Sequence, residues 1–160
     1  MKLKQAVEEV EQSEVFKNFL KDNPHYYLSH VFYMSGKEEA RQVGYYSKDK
    51  DRVVVFELSN GVKQMPEAEV FKEQPQVEPL DLARVLIEFE EALSLAEELH
   101  MKKYPAEIIS QKIVILQNLN GLVYNITHVT RTFNICNIKI AADTGEVLSE
   151  HMQSILGLQK

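Results

Sequence analysis

Five histidines and one cysteine are the residues of this 160-residue chain best suited to chemistry: His25, His30, His100, His128, His151 and Cys136. No pair of them has the short spacing of a zinc-ligand motif, and Cys136 has no second cysteine, so neither a metal centre nor a cofactor is expected. Cys136 cannot form an internal disulfide and stands among Phe133, Ile135 and Ile138, the setting of a buried structural thiol rather than a reactive one. His100 lies near a predicted helix C-terminus, where an imidazole complements the dipole. His25 and His30 fall on opposite faces of one strand, because side chains alternate along it.

Other chemical motifs are equally sparse. Asp143-Thr144-Gly145 matches the triplet of aspartic proteases, but it follows a strand as a turn, and no second triplet supplies a paired aspartate. The chain has no glycine-rich phosphate loop, no Gly-x-Ser-x-Gly elbow and no His-Glu-x-x-His helix. Catalysis is therefore not expected. Six tyrosines, Tyr26, Tyr27, Tyr33, Tyr45, Tyr46 and Tyr124, lie on predicted strands. They offer a large apolar area with a polar tip, which suits a partner-binding surface or the edge of a thin core with hydroxyls in water. Candidate partner-binding residues are Tyr33, Tyr45, Tyr124 and His128, with Ile87 and Leu95, which project from the polar side of a predicted helix. The surface they imply is a sheet face or an edge strand, where an extended peptide pairs by main-chain hydrogen bonds.

Composition narrows the partner class. The net charge is −6, hydrophobic residues make up 44% and charged ones 26%, the balance of an ordered globular protein. Neither half carries a basic cluster, so a nucleic-acid partner and an anionic membrane are both disfavoured. The start lacks the apolar core of a secretory signal and no apolar run approaches the roughly 20 residues of a membrane span, so a cytoplasmic location is expected.

The elements that must position these residues follow from periodicity. Leu3, Ala6, Val7 and Val10 share one helical face, whereas Phe16, Phe19 and Leu20 share another, so the phase breaks near Gln12-Ser13 and Ser13 caps a second helix from Glu14 to Lys21. Asp22-Asn23-Pro24 ends it. Aromatic and β-branched runs over His25 to Met34, Arg41 to Ser47 and Arg52 to Leu58 predict antiparallel strands, and Met65 to Phe71 an edge strand or short helix. Asp81 is expected to cap a helix whose stripe is Leu82, Val85, Leu86, Phe89, Leu93 and Ala96. Strands over Gln111 to Asn118, Leu122 to Val129 and Arg131 to Ala142 follow, the first two joined by a type I′ turn at Asn120-Gly121. In the last, Phe133 and Ile135 have one parity and Ile138 and Ile140 the other, which implies two buried faces or a β-bulge near Cys136-Asn137. Glu146 to Ser149 is expected to return as a short strand.

The two halves run alike. Val53 to Val62 takes a strand into a turn at Gly61, Asn137 to Val147 does so at Gly145, and each half opens on a helix that closes on a proline, Pro24 or Pro105. The expected fold class is α+β: two tandem helix-plus-antiparallel-sheet repeats, residues 1–76 and 77–160, packed together.

Ala92 and Ala96 in the helix, Pro105 at its end, Tyr124-Asn125-Ile126, and Ile138-Lys139-Ile140 running to Asp143-Thr144-Gly145-Glu146-Val147 resemble the PepSY family of small domains, over about residues 90–148. The resemblance implies a helix packed on a curved antiparallel sheet, and a role in restraining peptidases or binding proteins at cell surfaces, with no catalytic residues to carry over. A cystatin-like sheet curled around a helix fits the same pattern. The expected function is a non-enzymatic protein-interaction module, a regulator or inhibitor of a peptidase, with a protein or peptide partner or a second copy of itself as a homodimer. The alternative is a small-molecule-binding or enzymatic protein with a cystatin-like cone pocket, where His128 or Tyr124 would converge.

Overall fold

A computed structural model describes residues 2–66, 68–69 and 77–155. Helix α1, Leu3–Glu11, buries Leu3, Ala6, Val7 and Val10. The chain breaks at Ser13, whose hydroxyl accepts from the Phe16 amide at 3.2 Å and donates to the Val10 carbonyl at 2.6 Å, closing one helix and opening the next. Helix α2, Glu14–Asp22, then buries Phe16 and Phe19. Strands β1 Tyr27–Met34, β2 Ala40–Ser47, β3 Arg52–Leu58, β4 Val62–Gln64 and β5 Ala68–Glu69 follow. Helix α3, Phe89–Lys103, precedes β6 Ile109–Asn118, β7 Leu122–Thr130, β8 Asn134–Ala141 and β9 Val147–Ser154. The expected continuation to Phe71 and the repeat boundary near residue 76 lie outside the described residues.

All described strands belong to one nine-stranded antiparallel sheet in the order β4-β3-β2-β1-β6-β7-β8-β9, with β5 also pairing β3. The fold is α+β, and the two meanders meet at a seam where β1 pairs β6 from His30 opposite Gln117 to Met34 opposite Ile113. Hairpin turns at Asn60-Gly61 and Asn120-Gly121 hold both central residues at positive φ, 49° and 109° in one and 54° and 129° in the other, as a type I′ turn requires. All three described α-helices pack on the same face. Alternation sends Val31, Val43, Phe56, Val114, Leu116, Ile126, Ile138 and Ile140 to that face, where all are buried. Phe56 lies at the centre of a ring cluster with Phe16, Phe19 and Tyr45. No described helix covers the opposite face, which carries Phe32, Val53, Val55, Ile113 and Ile115, all half-buried.

Three expectations are corrected. Asp81 caps only a 3-10 turn, Leu82–Arg84, and α3 starts at Phe89, because the Leu86 and Ile87 amides both donate to the Ala142 carbonyl at 3.0 and 2.9 Å instead of joining a helix. Leu86, placed on the buried stripe, is 69% exposed. No bulge occurs at Cys136-Asn137, since the register from Val123 opposite Ala141 to Val129 opposite Ile135 is unbroken. Phe133 instead sits in the β7–β8 turn at φ 62°, 62% exposed, while Ile135 lies on the helix-free face. The return strand is also longer than the expected Glu146 to Ser149, spanning all of β9 with a register shift at Lys139/Ile140.

One glycine is fixed by close approach. The His30 ring lies over Gly44 so tightly that a Cβ there would stand 1.9 Å from His30 Cε1. The Ser29 hydroxyl donates to the Gly44 carbonyl and so accepts from His30 Nδ1–H, both at 3.1 Å, which holds the ring in place. Gly44→Ala is expected to cost about 1–3 kcal/mol by overpacking, read by urea unfolding. A His30→Ala background should return most of that loss; an equal loss in both backgrounds would contradict the contact.

Candidate functional site

Folding brings together three side chains that the sequence leaves far apart. His128 on β7 stands directly opposite Cys136 on β8, and His100 descends onto them from the last turn of α3; all three are fully buried. Their donor atoms lie within 4.8 Å of one another, the one such group of three His, Cys, Asp or Glu side chains among the described residues. His100 Nε2–H donates to the Glu107 carbonyl at 2.7 Å, and its Nδ1 is 3.1 Å from His128 Nδ1. An N···N contact needs one donor and one acceptor, so a neutral pair places the proton on His128 Nδ1. That leaves His128 Nε2 as a bare lone pair, and this nitrogen is buried without a partner.

The surroundings hold His128 and Cys136 neutral. Burial, then the neighbouring His100 and Lys112, lowers the His128 pKa to about 4. Burial, aided by Glu150, pushes the Cys136 thiol up to about 11. Glu107, whose backbone anchors His100, has its carboxyl held below its ordinary range by hydrogen bonds from Thr132, Thr130 and Asn134. Lys103 and the Tyr104 hydroxyl both donate to Glu150 of β9, fastening the end of α3 across the sheet.

The other predicted site residues belong to the packing between helices and sheet. Tyr45 is buried with its hydroxyl donating to Glu11 at 3.2 Å, and Tyr124 is buried with its hydroxyl donating to the Ile87 carbonyl at 2.7 Å. Tyr33 packs edge-on to Phe89 with ring centres 5.2 Å apart. Ile87 and Leu95 close on the Gly145 turn, where a Cβ would stand 3.3 and 3.8 Å from their Cδ1 atoms. With His128 also buried, these six form no exposed patch. No short linear spacing joins His100 or Cys136 to His128. The signal that reveals the pair is hairpin symmetry, since His128 and Cys136 are equidistant from Thr132 at the centre of the β7–β8 turn.

Two further features lie at the surface. A cleft of about 570 Å³ opens between the start of α1 and residues 82–90, walled by Leu3, Leu82, Val85, Ile87 and Tyr124, with Lys2, Lys4, Glu88 and Glu90 supplying both signs of charge. His128 does not line it. The outer edge of β9 pairs with no described strand; Val147 and Leu148 on it are 43% and 51% exposed.

No protein family matches the chain, and no curated protein does. A crystal structure described as a "putative lipoprotein" from Clostridium difficile 630 is similar in fold, with a TM-score of 0.55 and 12% identity over 88% of this chain and 91% of that one. At that identity the likeness concerns fold alone. No described helix is long and apolar enough to cross a membrane.

Proposed function

We propose that this protein is a non-catalytic protein-binding module that takes an extended segment of its partner along the outer edge of β9. The observation that carries the reading is the asymmetry between the two ends of the sheet. Among the described residues, one end of the sheet is formed by β4 and β5, three and two residues long, a short template for another strand. The other stops at β9, eight residues without proline or lysine, whose Glu150 is engaged by Lys103 and Tyr104. An edge that long and that weakly charged is suited to strand addition, in which main-chain hydrogen bonds supply affinity and side-chain pockets supply selectivity.

Support for the finer form, restraint of a peptidase, comes from the PepSY resemblance over about residues 90–148. The two successive helix-then-meander halves are the layout that an internal duplication would leave. Leu148→Lys is expected to keep the fold by circular dichroism while lowering capture of a partner about tenfold or more. If wild-type protein also inhibits a captured peptidase and the variant does not, the peptidase reading stands. Capture that is indifferent to the edge charge would refute strand addition, and light scattering separates a partner from self-pairing of two β9 edges. The cleft favours a second reading, small-molecule binding, because its volume falls in the range of about 300–1,000 Å³ used by ligand sites.

A further inference from the structure

We propose that His100, His128 and Cys136 bind a single thiophilic d10 metal ion, copper(I) or zinc, between α3 and the β7–β8 hairpin. Three elements converge two imidazoles and a thiol within 4.8 Å in a fully buried place. Such a donor set is nitrogen and soft sulfur with no carboxylate, which selects zinc or copper(I) over hard cations. His100 is already posed as a ligand. Its Nε2–H is spent on the Glu107 carbonyl, the outer hydrogen bond that metal-ligating histidines make, and this leaves Nδ1 as the donor.

The independent sign is His128 Nε2, a dry nitrogen with no partner, whose loss of solvation costs about 1–3 kcal/mol unless something accepts its lone pair. Zinc bonds of about 2.0–2.1 Å to nitrogen and 2.3 Å to thiolate place tetrahedral donors roughly 3.3–3.6 Å apart. The donor atoms already lie within 4.8 Å of one another, so closing the site takes side-chain rotation, with the His128 ring turning from its Nδ1 contact with His100 to aim Nε2 at the ion. On binding, the N–H···N bond between the two rings breaks, His100 Nδ1 and His128 Nε2 each give a lone pair to the ion while His128 keeps its Nδ1 proton, and Cys136 releases its thiol proton to solvent as the metal–sulfur bond forms. Met152 stands opposite Cys136 in the β8–β9 register and packs against the core, a thioether that would join copper(I) and not zinc.

The test uses the full chain, reduced and stripped with chelator. Copper(I) is titrated anaerobically against bicinchoninate, zinc against a metallochromic chelator, and cobalt(II) serves as the spectroscopic probe. One equivalent of copper(I) or zinc per chain is expected, with a thiolate-to-cobalt charge-transfer band that only Cys136, the sole cysteine, can produce. Cys136→Ser and His128→Phe should each weaken binding about a hundredfold or more. Met152→Leu should weaken copper(I) and leave zinc unchanged, and His25→Gln with His151→Gln should change neither. Stoichiometric uptake that survives Cys136→Ser would overturn the site. So would a wild-type protein that takes up neither ion and shows no cobalt–thiolate band, a result that requires no variant to fold.

Discussion

Replacing Phe56 by alanine is expected to destabilise the protein by about 3–5 kcal/mol, the range for removing a buried phenylalanine from a packed core. Phe56 is fully buried, and its ring centre is 5.4 Å from those of Phe16 and Phe19 and 5.7 Å from that of Tyr45. The cost has two parts: lost transfer of the ring from water, and the void left where α2 meets the sheet. Edge-to-face pairs add about 0.5–1.5 kcal/mol beyond area, and Phe56 makes three of them, so relaxation around the hole cannot restore the geometry. Against a total stability of about 5–15 kcal/mol, this single change consumes a large share. Urea unfolding measures it, and a loss below about 1 kcal/mol would show that the cluster is not a packed unit.

Acid is the second strong lever. His30 is neutral in the fold because burial lowers its pKa from 6.5 to about 4. In the unfolded chain it takes up a proton as pH falls through about 6.5, and the folded protein does not follow until about 4. The unfolded state binds more protons across that window, so stability is full above it, declines with acid inside it, and is flat in this contribution below it. Each pKa unit corresponds to about 1.4 kcal/mol, so the His30 share of the decline is about 3 kcal/mol. Unfolding in chelator at pH 7 and pH 4 gives the total, to which His128 and the carboxylates also contribute. The difference between wild-type and His30→Gln isolates the share, and an identical pH dependence in both would mean that His30 is not desolvated.

Much of the fold was legible because local chemistry and final structure agree. Ser13 caps α2 as its hydroxyl predicts, Asn120-Gly121 turns at positive φ, and the β-branched runs bounded by turn residues became strands close to their expected limits. The start of α3 was not legible, since Asp81 and the Leu82-Val85-Leu86-Phe89 spacing satisfy every local rule for a helix. Two non-local partners override them: the Ala142 carbonyl, which accepts from the Leu86 and Ile87 amides, and the Tyr124 hydroxyl, which donates to the Ile87 carbonyl.

The tyrosines misled for a related reason. A polar tip reads as a surface residue, but Tyr45 and Tyr124 find Glu11 and a main-chain carbonyl inside the packing. The buried donor cluster was hidden in linear spacing because its members meet through strand register and the placement of a helix. Only hairpin symmetry around Thr132 connects two of them in the sequence, and nothing local points His100 at either.

The seam between β1 and β6 limits how the two halves of the sheet can move. Proteins that close on a guest do so about a joint between independently moving bodies, with a few residues absorbing the change in backbone angles. Here the two meanders are stitched by ladder hydrogen bonds from His30 to Met34, so swinging one against the other would tear the ladder. For the strand addition proposed at β9, shape must therefore exist before the encounter: a rigid template would spend little conformational freedom on association, and it would demand in return that its guest arrive extended or become so.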